Sequence, residues 1–285
     1  MPTFKPDLAE MRRIQVTIRG CSNCRSIIYL RGMAPSLEEL AEETTLHLLP
    51  RPTFETVERD GYVYIAGTRS ATVHRVRLGD VAAAVEWTRA ESKRRGHRDL
   101  TWWVGDSATP ADLLAQLPEL GVVVDEEEPV LTGMTATSPP PPTEGVEVRR
   151  VETLEDYLAA LEVDWEVWQT PEAERTERRV LEAERFEPMQ SSGVVHHFSA
   201  FLDGKRVGFG RAIDTETAVA LFGGSVLPEA RGNGVYRALV RARWDHAARR
   251  GTPTLVVQAG TMSAPVLAGL GFEPHGQIHL LVDRL

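Results

Sequence analysis

Short runs of aliphatic and β-branched residues alternate with longer amphipathic stretches along the chain, the pattern of an α/β protein. Residues 12–19 alternate as a strand does, and Ile27-Ile28-Tyr29-Leu30 is a second short apolar run. Ser36, with Glu39 three positions on, predicts a capping box that opens a helix reaching to about residue 46. Asp60-Gly61 separates two β-rich runs, 55–59 and 62–66, and predicts a hairpin; a further strand is expected over 72–78. Asp80 is placed to cap a helix over 81–95, where Val81, Ala84, Val85 and Thr88 share a face and Lys93-Arg94-Arg95 precede Gly96. A strand over 100–104, a short helix starting at Thr109 or Asp112 and a strand over 122–124 complete this part.

Ser138 and the four prolines 139–142 then interrupt the periodicity. Consecutive prolines favour an extended, semi-rigid spacer, so residues 136–145 are expected to be a linker between two domains, 1–135 and 146–285. Beyond it the pattern predicts a strand over 146–149 and a helix capped by Thr153 that carries Leu154, Tyr157, Leu158, Leu161, Trp165 and Trp168. A charged helix over 171–185 and strands over 194–202 and 206–213 follow, the strands joined at Asp203-Gly204. Next come a buried strand from Ala218, a helix ending at Arg249-Arg250-Gly251, a strand over 254–258, a short helix over 262–270 and a last strand over 278–282.

The two halves share an order. Arg94-Arg95-Gly96 followed by a strand matches Arg249-Arg250-Gly251 followed by a strand, 155 residues later, and Leu120-Gly121 matches Leu270-Gly271. A duplicated fold is inferred.

The chemistry concentrates where the buried strand meets Pro228 and then Arg231-Gly232-Asn233-Gly234, which opens directly into a helix. The first turn of a helix has unpaired N–H groups and the positive end of the macrodipole, so a glycine turn in front of it can seat an anion. Gly232 and Gly234 let the backbone approach a ligand and take positive φ. The run from Val226 to Gly234 resembles the acyl-CoA motif of the GCN5-related N-acetyltransferases (GNAT): Gln or Arg, two residues, Gly, one residue, then Gly or Ala. Arg231 and Gly234 fit that pattern, whereas Tyr236 stands where the small residue is usual. The corresponding segment of the first half, Arg77-Leu78-Gly79-Asp80, lacks paired glycines and puts a carboxylate at the helix start, so that half is expected not to bind CoA.

The resemblance implies two tandem GNAT-like domains, each a mixed, mostly antiparallel sheet flanked by helices, the first of them degenerate. It implies acetyl-CoA as co-substrate and acetyl transfer to a primary amine of a small-molecule or peptide acceptor. Val226 and Leu227 would give strand contacts to pantetheine, and Arg231, Gly232, Asn233, Gly234, Val235 and Tyr236 would form the diphosphate cradle. Leu267 or Ala268 stands where the family commonly has a tyrosine near the sulfur, so the thiolate leaves unassisted or another group protonates it; Ser263, Tyr236 and His275 are candidates. No Glu lies on the central strand, which leaves His196 or His197, one of them facing inward by alternation, and Asp164 or Glu166 as candidate bases. Trp165 and Trp168 would line an acceptor pocket or lie in the core. The missing tyrosine also keeps open a module that holds acyl-CoA without turnover.

Composition narrows the classes further. A formal net charge of −9 argues against a general grip on nucleic acid, although Arg231, Arg237, Arg241, Arg243, Arg249 and Arg250 make the helix after the turn locally basic. No run approaches the length of a membrane span and nothing resembles a signal peptide, so a soluble cytoplasmic protein is expected, with an oligomer allowed. Cys21 and Cys24 have no second pair, and the eight histidines show no ligand spacing, so no metal is expected; a scaffold with metal on the two cysteines is the remaining rival.

Overall fold

The computed structural model describes residues 34–51 and 54–285. Cys21, Cys24 and the two strands expected before residue 31 lie outside the described residues. Ser36 caps α1 (Leu37–Glu42) by accepting from Glu39 N at 3.1 Å, and the helix then breaks at Glu43 before α2 (Thr44–His47). Asp60-Gly61 turns β1 (Glu55–Arg59) into β2 (Tyr62–Ala66), with Gly61 at φ 82°, and β3 (Ser70–His74) follows. Asp80 caps α3 (Val81–Arg94) as expected, accepting from Ala83 N at 2.9 Å. Then come β4 (Asp99–Gly105), α4 (Leu113–Glu119), β5 (Val123–Val124) and β6 (Val130–Ala136).

The second half begins with β7 (Val146–Arg150), α5 (Leu154–Val167) and α6 (Glu172–Ser192). It continues with β8 (Val195–Leu202), β9 (Lys205–Asp214), β10 (Val219–Val226), a 3-10 turn at Pro228–Ala230 and α7 (Val235–Arg250), which ends on Gly251 at φ 83°. β11 (Leu255–Ala259), α8 (Ala264–Ala268) and β12 (Glu273–Arg284) close the chain.

Where the pattern predicts two sheets, one per half, the structure has one sheet of 12 strands in the order β1-β2-β3-β4-β12-β6-β11-β10-β9-β8-β7, with β5 beside β12. Residues 36–285 form one compact unit. The cause is an exchange of closing strands. β6, from the first half, lies between β11 and the start of β12, and the end of β12 lies between β4 and β5 of the first half. Each half therefore completes the other's ladder. Gly133 lets β6 run close under α1: a Cβ there would lie 2.9 Å from Ala41 O.

Side chains from both faces of the second half fill the largest core, including Tyr157, Trp165, Phe209, Leu239, Leu255 and Leu267. Each such buried side chain contributes roughly 1.5–3 kcal/mol. Trp165 belongs to this core, whereas Trp168 is 65% exposed. α7 is unusual in what it buries: Arg243 and His246 accompany Leu239, Val240 and Trp244.

Candidate active site

β10 pairs with β9 along most of its length but with β11 only at Val219–Leu255 and Ala220–Val256. From Leu221 on, its other edge is free of β11, and a bulge between Phe222 and Gly224 places Gly223 at φ 65° with no atom within 4 Å of where a Cβ would stand. Two parallel strands that part leave backbone N–H and C=O groups with no ladder partner, an edge that an extended amide-bearing ligand can pair with.

A second parallel pair, in the first half, does not stay open. β3 and β4 pair from Ser70–Asp99 to Val73–Trp102 and are bridged again at Arg77–Thr109, where Thr109 N donates to Val76 O at 3.0 Å and Leu78 N to Thr109 O at 2.8 Å. Acidic residues from the end of α1 reach the same place. Glu43 is buried, accepts from Arg75 N at 3.2 Å and lies 3.8 Å from Arg77, while Glu42 accepts from Ser107. Burial, with Glu42 beside it, pushes the Glu43 carboxyl above its usual range.

At the far end of β10 the chain turns through Leu227, whose N–H donates to Val207 O at 2.9 Å, and Arg231. Gly232 and Gly234 take φ 80° and 76°, in the left-handed region that suits glycine. Gly234 is the N-cap of α7 and no side chain caps the helix, in contrast to Asp80 on α3. Amides of the first turn of α7 are thus left without a side-chain acceptor, at the positive end of a 16-residue helix. The proline segment does not stand clear as a spacer. Arg237 Nε donates to Thr143 Oγ1 at 2.9 Å and Arg241 to Pro140 O at 3.1 Å, strapping the segment along the start of α7.

Tyr236, the departure from the motif, lies against the bulge: a Cβ on Gly224 would come within 2.7 Å of its ring. Beneath it sits Arg243, fully buried and without a carboxylate partner among the described residues. Its Nε donates to Leu239 O at 3.0 Å, and one guanidinium nitrogen donates to Arg211 O at 3.3 Å and Gly223 O at 3.2 Å, while the other has no partner. The bulge is therefore pinned from below by a charged side chain. Burial pushes Arg243 below its ordinary value, and the nearby Tyr236 hydroxyl offsets part of that.

On the opposite face of the sheet, under α5, Phe222 is paired with Arg211 and Ser225 with Phe209. Ser225 donates a short hydrogen bond to Asp164 of α5, so a carboxylate stands next to the free-edged part of β10. Arg211 Nε donates to His197 Nε2 at 3.1 Å, and His197 is driven down to about 2 by burial, helped by Arg211. His197 is a neutral support for Arg211.

His196, one position earlier, faces α7 instead. It is buried, with Nε2 3.1 Å from Asp214 Oδ2 and Nδ1 2.6 Å from an Arg150 nitrogen. His246 Nε2 reaches the other Asp214 oxygen at 2.9 Å, and Arg250 Nε lies 3.3 Å from the carboxylate. These two histidines and Asp214 offer ligand atoms within 4.8 Å of one another, the one such trio among the described residues. Two arginines already supply the positive charge that a metal would bring, so the trio is complete as a hydrogen-bonded network. Of the remaining candidates, Ser263 precedes α8 and donates to Gly260 O at 3.2 Å, and His275 Nε2 is 2.7 Å from Thr135 Oγ1 on β6. Tyr236 and the glycine turn adjoin the parted strands, while His196, level with Leu221 through Ala212, is turned to the α7 face and toward Asp214. Sequence reasoning missed Arg211, which alternation along β9 places on the Phe222 face, and it counted Arg243 toward the basic character of the helix, whereas Arg243 is fully buried and nothing in the pattern of α7 marks it so.

Residues 157–272 match the model of the acetyltransferase (GNAT) family. That span runs from within α5 to just past α8 and includes the parted strands and the glycine turn. Among solved structures, a GCN5-related N-acetyltransferase from Kribbella flavida is similar over 87% of this chain and 95% of its own, at 17% identity and a TM-score of 0.64. A tandem GNAT protein from the clavulanic acid biosynthesis pathway is similar over 89% of each chain, at 18% identity and a TM-score of 0.56. A GCN5-related N-acetyltransferase from Sphaerobacter thermophilus is similar over 78% of this chain and 76% of its own, at 19% identity and a TM-score of 0.56. At these identities the likeness is one of fold, and it extends through both halves of the GNAT-like sheet. No curated protein matches the chain. No helix among the described residues is long and apolar enough to cross a membrane.

Proposed function

We propose that the protein is an N-acetyltransferase that transfers the acetyl group of acetyl-CoA to a primary amine, using the second half of the chain alone. The observation that carries this reading is the parting of β10 from β11 directly in front of a glycine turn at the start of an uncapped helix. Acetyl-CoA would supply the activated thioester. The amides of Gly232, Asn233, Gly234, Val235 and Tyr236 would hold its diphosphate, with Arg231 adding charge, and Val226 and Leu227 would pair with pantetheine. Space at Gly232 and Gly223, where an added Cβ meets nothing within 4 Å, agrees with a ligand approaching the backbone there.

Asp164 is the best-placed proton acceptor: it reaches β10 itself, through Ser225, on the face opposite α7. Its carboxylate would attract the acceptor's ammonium group and take a proton from it. Tyr236, at the other face of the bulge and over Arg243, is the proton source best placed for the departing sulfur, with Ser263 of the α8 side as the second candidate. His196, with both nitrogens engaged, would hold β8, β9 and α7 together. The first half, with its strands bridged again and acidic side chains in place, would be a degenerate copy that braces the active half through the exchanged strands.

Thiol release from acetyl-CoA with a panel of primary amines tests the reading. Amine-dependent release that is lost on Gly234→Glu is expected. Tight binding of acetyl-CoA without release for any amine would leave an acyl-CoA-binding module instead.

A further inference from the structure

Glu128, a residue of the first half, reaches the parted strands of the second. The segment that carries it is tied to β12: Asp125 N donates to Leu280 O at 2.9 Å and Leu280 N to Pro129 O at 3.0 Å, while Asp125 Oδ1 accepts from the N–H groups of Glu127 and Glu128 at 2.9 and 3.1 Å. From there the Glu128 carboxylate lies on Gly260, the residue after β11. Its Oε1 accepts from Thr261 N at 3.1 Å, and a Cβ on Gly260 would stand 2.7 Å from that oxygen, so only glycine leaves room for the carboxylate.

Register and alternation place this carboxylate at the gap. Ala220 pairs with Val256, and four residues further along the two parallel strands come Gly224, at the bulge, and Gly260. Gly260 therefore lies across the parting from the bulge. On β11, Val256 packs with Ala220 and Phe222, and Gln258 Nε2 donates to Glu42 O of α1 at 2.7 Å, so Gly260 is next on that same side. Glu128 thus stands on the α5 face at the β11 rim of the gap, and Asp164, through Ser225, on the α5 face at the β10 rim.

Neither carboxylate is ion-paired among the described residues, and Glu128 Oε2 has no donor among them. The end of β4 shows a like arrangement that is filled. There Glu42 covers Gly105 and accepts from Ser107 N at 3.1 Å, and it also takes the Ser107 hydroxyl, which in turn accepts from Arg77 at 2.5 Å. A half-buried carboxylate with an oxygen to spare is stabilised by an ammonium group that donates to it.

We infer that Glu128 holds a second cationic group of the acceptor, so that the substrate is a diamine or polyamine whose other amino group is acetylated beside Asp164. This rests on the acetyltransferase reading above and specifies its substrate class. Each rim of the gap then carries one negative charge, and a monoamine satisfies only one of them.

The test is acetyl transfer by the full chain to 1,3-diaminopropane, 1,4-diaminobutane, 1,6-diaminohexane, n-butylamine and 4-aminobutyrate. The expected result is a kcat/KM at least tenfold higher for the best diamine than for butylamine, with aminobutyrate poorest. Glu128→Gln keeps an oxygen for Thr261 N and removes only the charge. It should reduce the ratio of diamine to butylamine kcat/KM at least fivefold, chiefly through the KM of the diamine, whereas a residue that merely holds the turn would lower both amines alike. The unaltered protein gives a second measurement that stands even if the variant fails to fold: the diamine preference should shrink in 0.5 M NaCl, because the attraction is between charges open to solvent.

Equal or better turnover of butylamine would overturn the second cation site and leave the acetyltransferase reading standing, as would a ratio unmoved by Glu128→Gln or a preference indifferent to salt. Absence of release with every amine would overturn both.

Discussion

Ala220 of β10 pairs with Val256 of β11, and beyond that pair the two parallel strands part. In the first half, Arg77 and Thr109 bridge again after the parallel strands β3 and β4 separate. One difference in pairing thus distinguishes a half with a free backbone edge in front of its helix from a half without one. Calorimetry is expected to give one acetyl-CoA bound per chain. A second site of comparable affinity would show that the re-closed strands and the Glu42–Glu43 pair do not exclude the ligand.

Gly234 is constrained twice, by φ 76° and by Thr143, whose methyl group would lie 2.6 Å from an added Cβ. Gly234→Ala therefore strains the backbone and pushes the proline strap away from the start of α7, at a cost of about 1–3 kcal/mol. Acetyl-CoA affinity is expected to fall roughly tenfold or more, since about 1.4 kcal/mol is tenfold. Unchanged affinity in a titration would remove the turn from the binding site.

Asp164 and His196 were both legible in the sequence as candidate bases, and the fold treats them differently. Asp164 is bonded to Ser225 on β10, while His196 is enclosed by Asp214, Arg150 and His246. Asp164→Asn is expected to lower kcat about 10²–10⁴-fold, the range of a general base. His196→Gln is expected to lower the melting temperature and change kcat much less. Steady-state kinetics on folded variants decides between them, and the reverse ranking would move the base to the α7 face.

Arg243 donates to backbone carbonyls, and Arg243→Met would leave Gly223 O and Arg211 O without this donor. Each orphaned buried carbonyl costs about 1–3 kcal/mol, partly offset because the buried charge goes too. A lower melting temperature together with weaker acetyl-CoA binding is expected, since the bulge loses its support. A variant that is more stable and binds equally well would show the bulge to be held by the strands alone.

Local signals in the sequence carried the element order well, because capping and turn chemistry act within a few residues: Ser36, Asp80, Asp60-Gly61 and Arg249-Arg250-Gly251 all mark real boundaries. The glycine turn was legible for the same reason. β6 was not, because Gly133 interrupts its β-branched run and the prolines that follow make it look like the start of a linker. The single sheet depends on that strand, and strand exchange is a matter of which distant edges meet, which periodicity does not record. Likewise β12 begins five residues before the expected strand, because pairing with β6 extends it.

Stability is expected to fall as the solution becomes mildly acidic, because the core holds histidines in their neutral form. Burial brings His74 down to about 3; burial, aided by Arg211, brings His197 down to about 2; and burial also lowers His196. The unfolded chain takes up these protons near pH 6.5 and the folded chain does not, so below that pH the unfolded state binds more protons and each such histidine costs the fold about 1.4 kcal/mol per pH unit. Glu43 acts in the opposite sense: its raised value lends stability that is present at low pH and lost as pH rises through that value. It titrates from the ordinary carboxylate range upward and offsets one histidine at most. The depressed Asp214 matters only lower still, as pH falls through the carboxylate range. Between pH 7 and 5 the histidines therefore dominate, and the urea midpoint should hold steady from pH 8 to 7 and then drop by an amount equivalent to a few kcal/mol by pH 5. His74→Gln, which keeps a polar partner for Thr72, should make the drop shallower. A midpoint that stays level down to pH 5 would mean that these rings gain protons without unfolding the chain, and hence that water reaches the β8–α5 and β3–β4 layers.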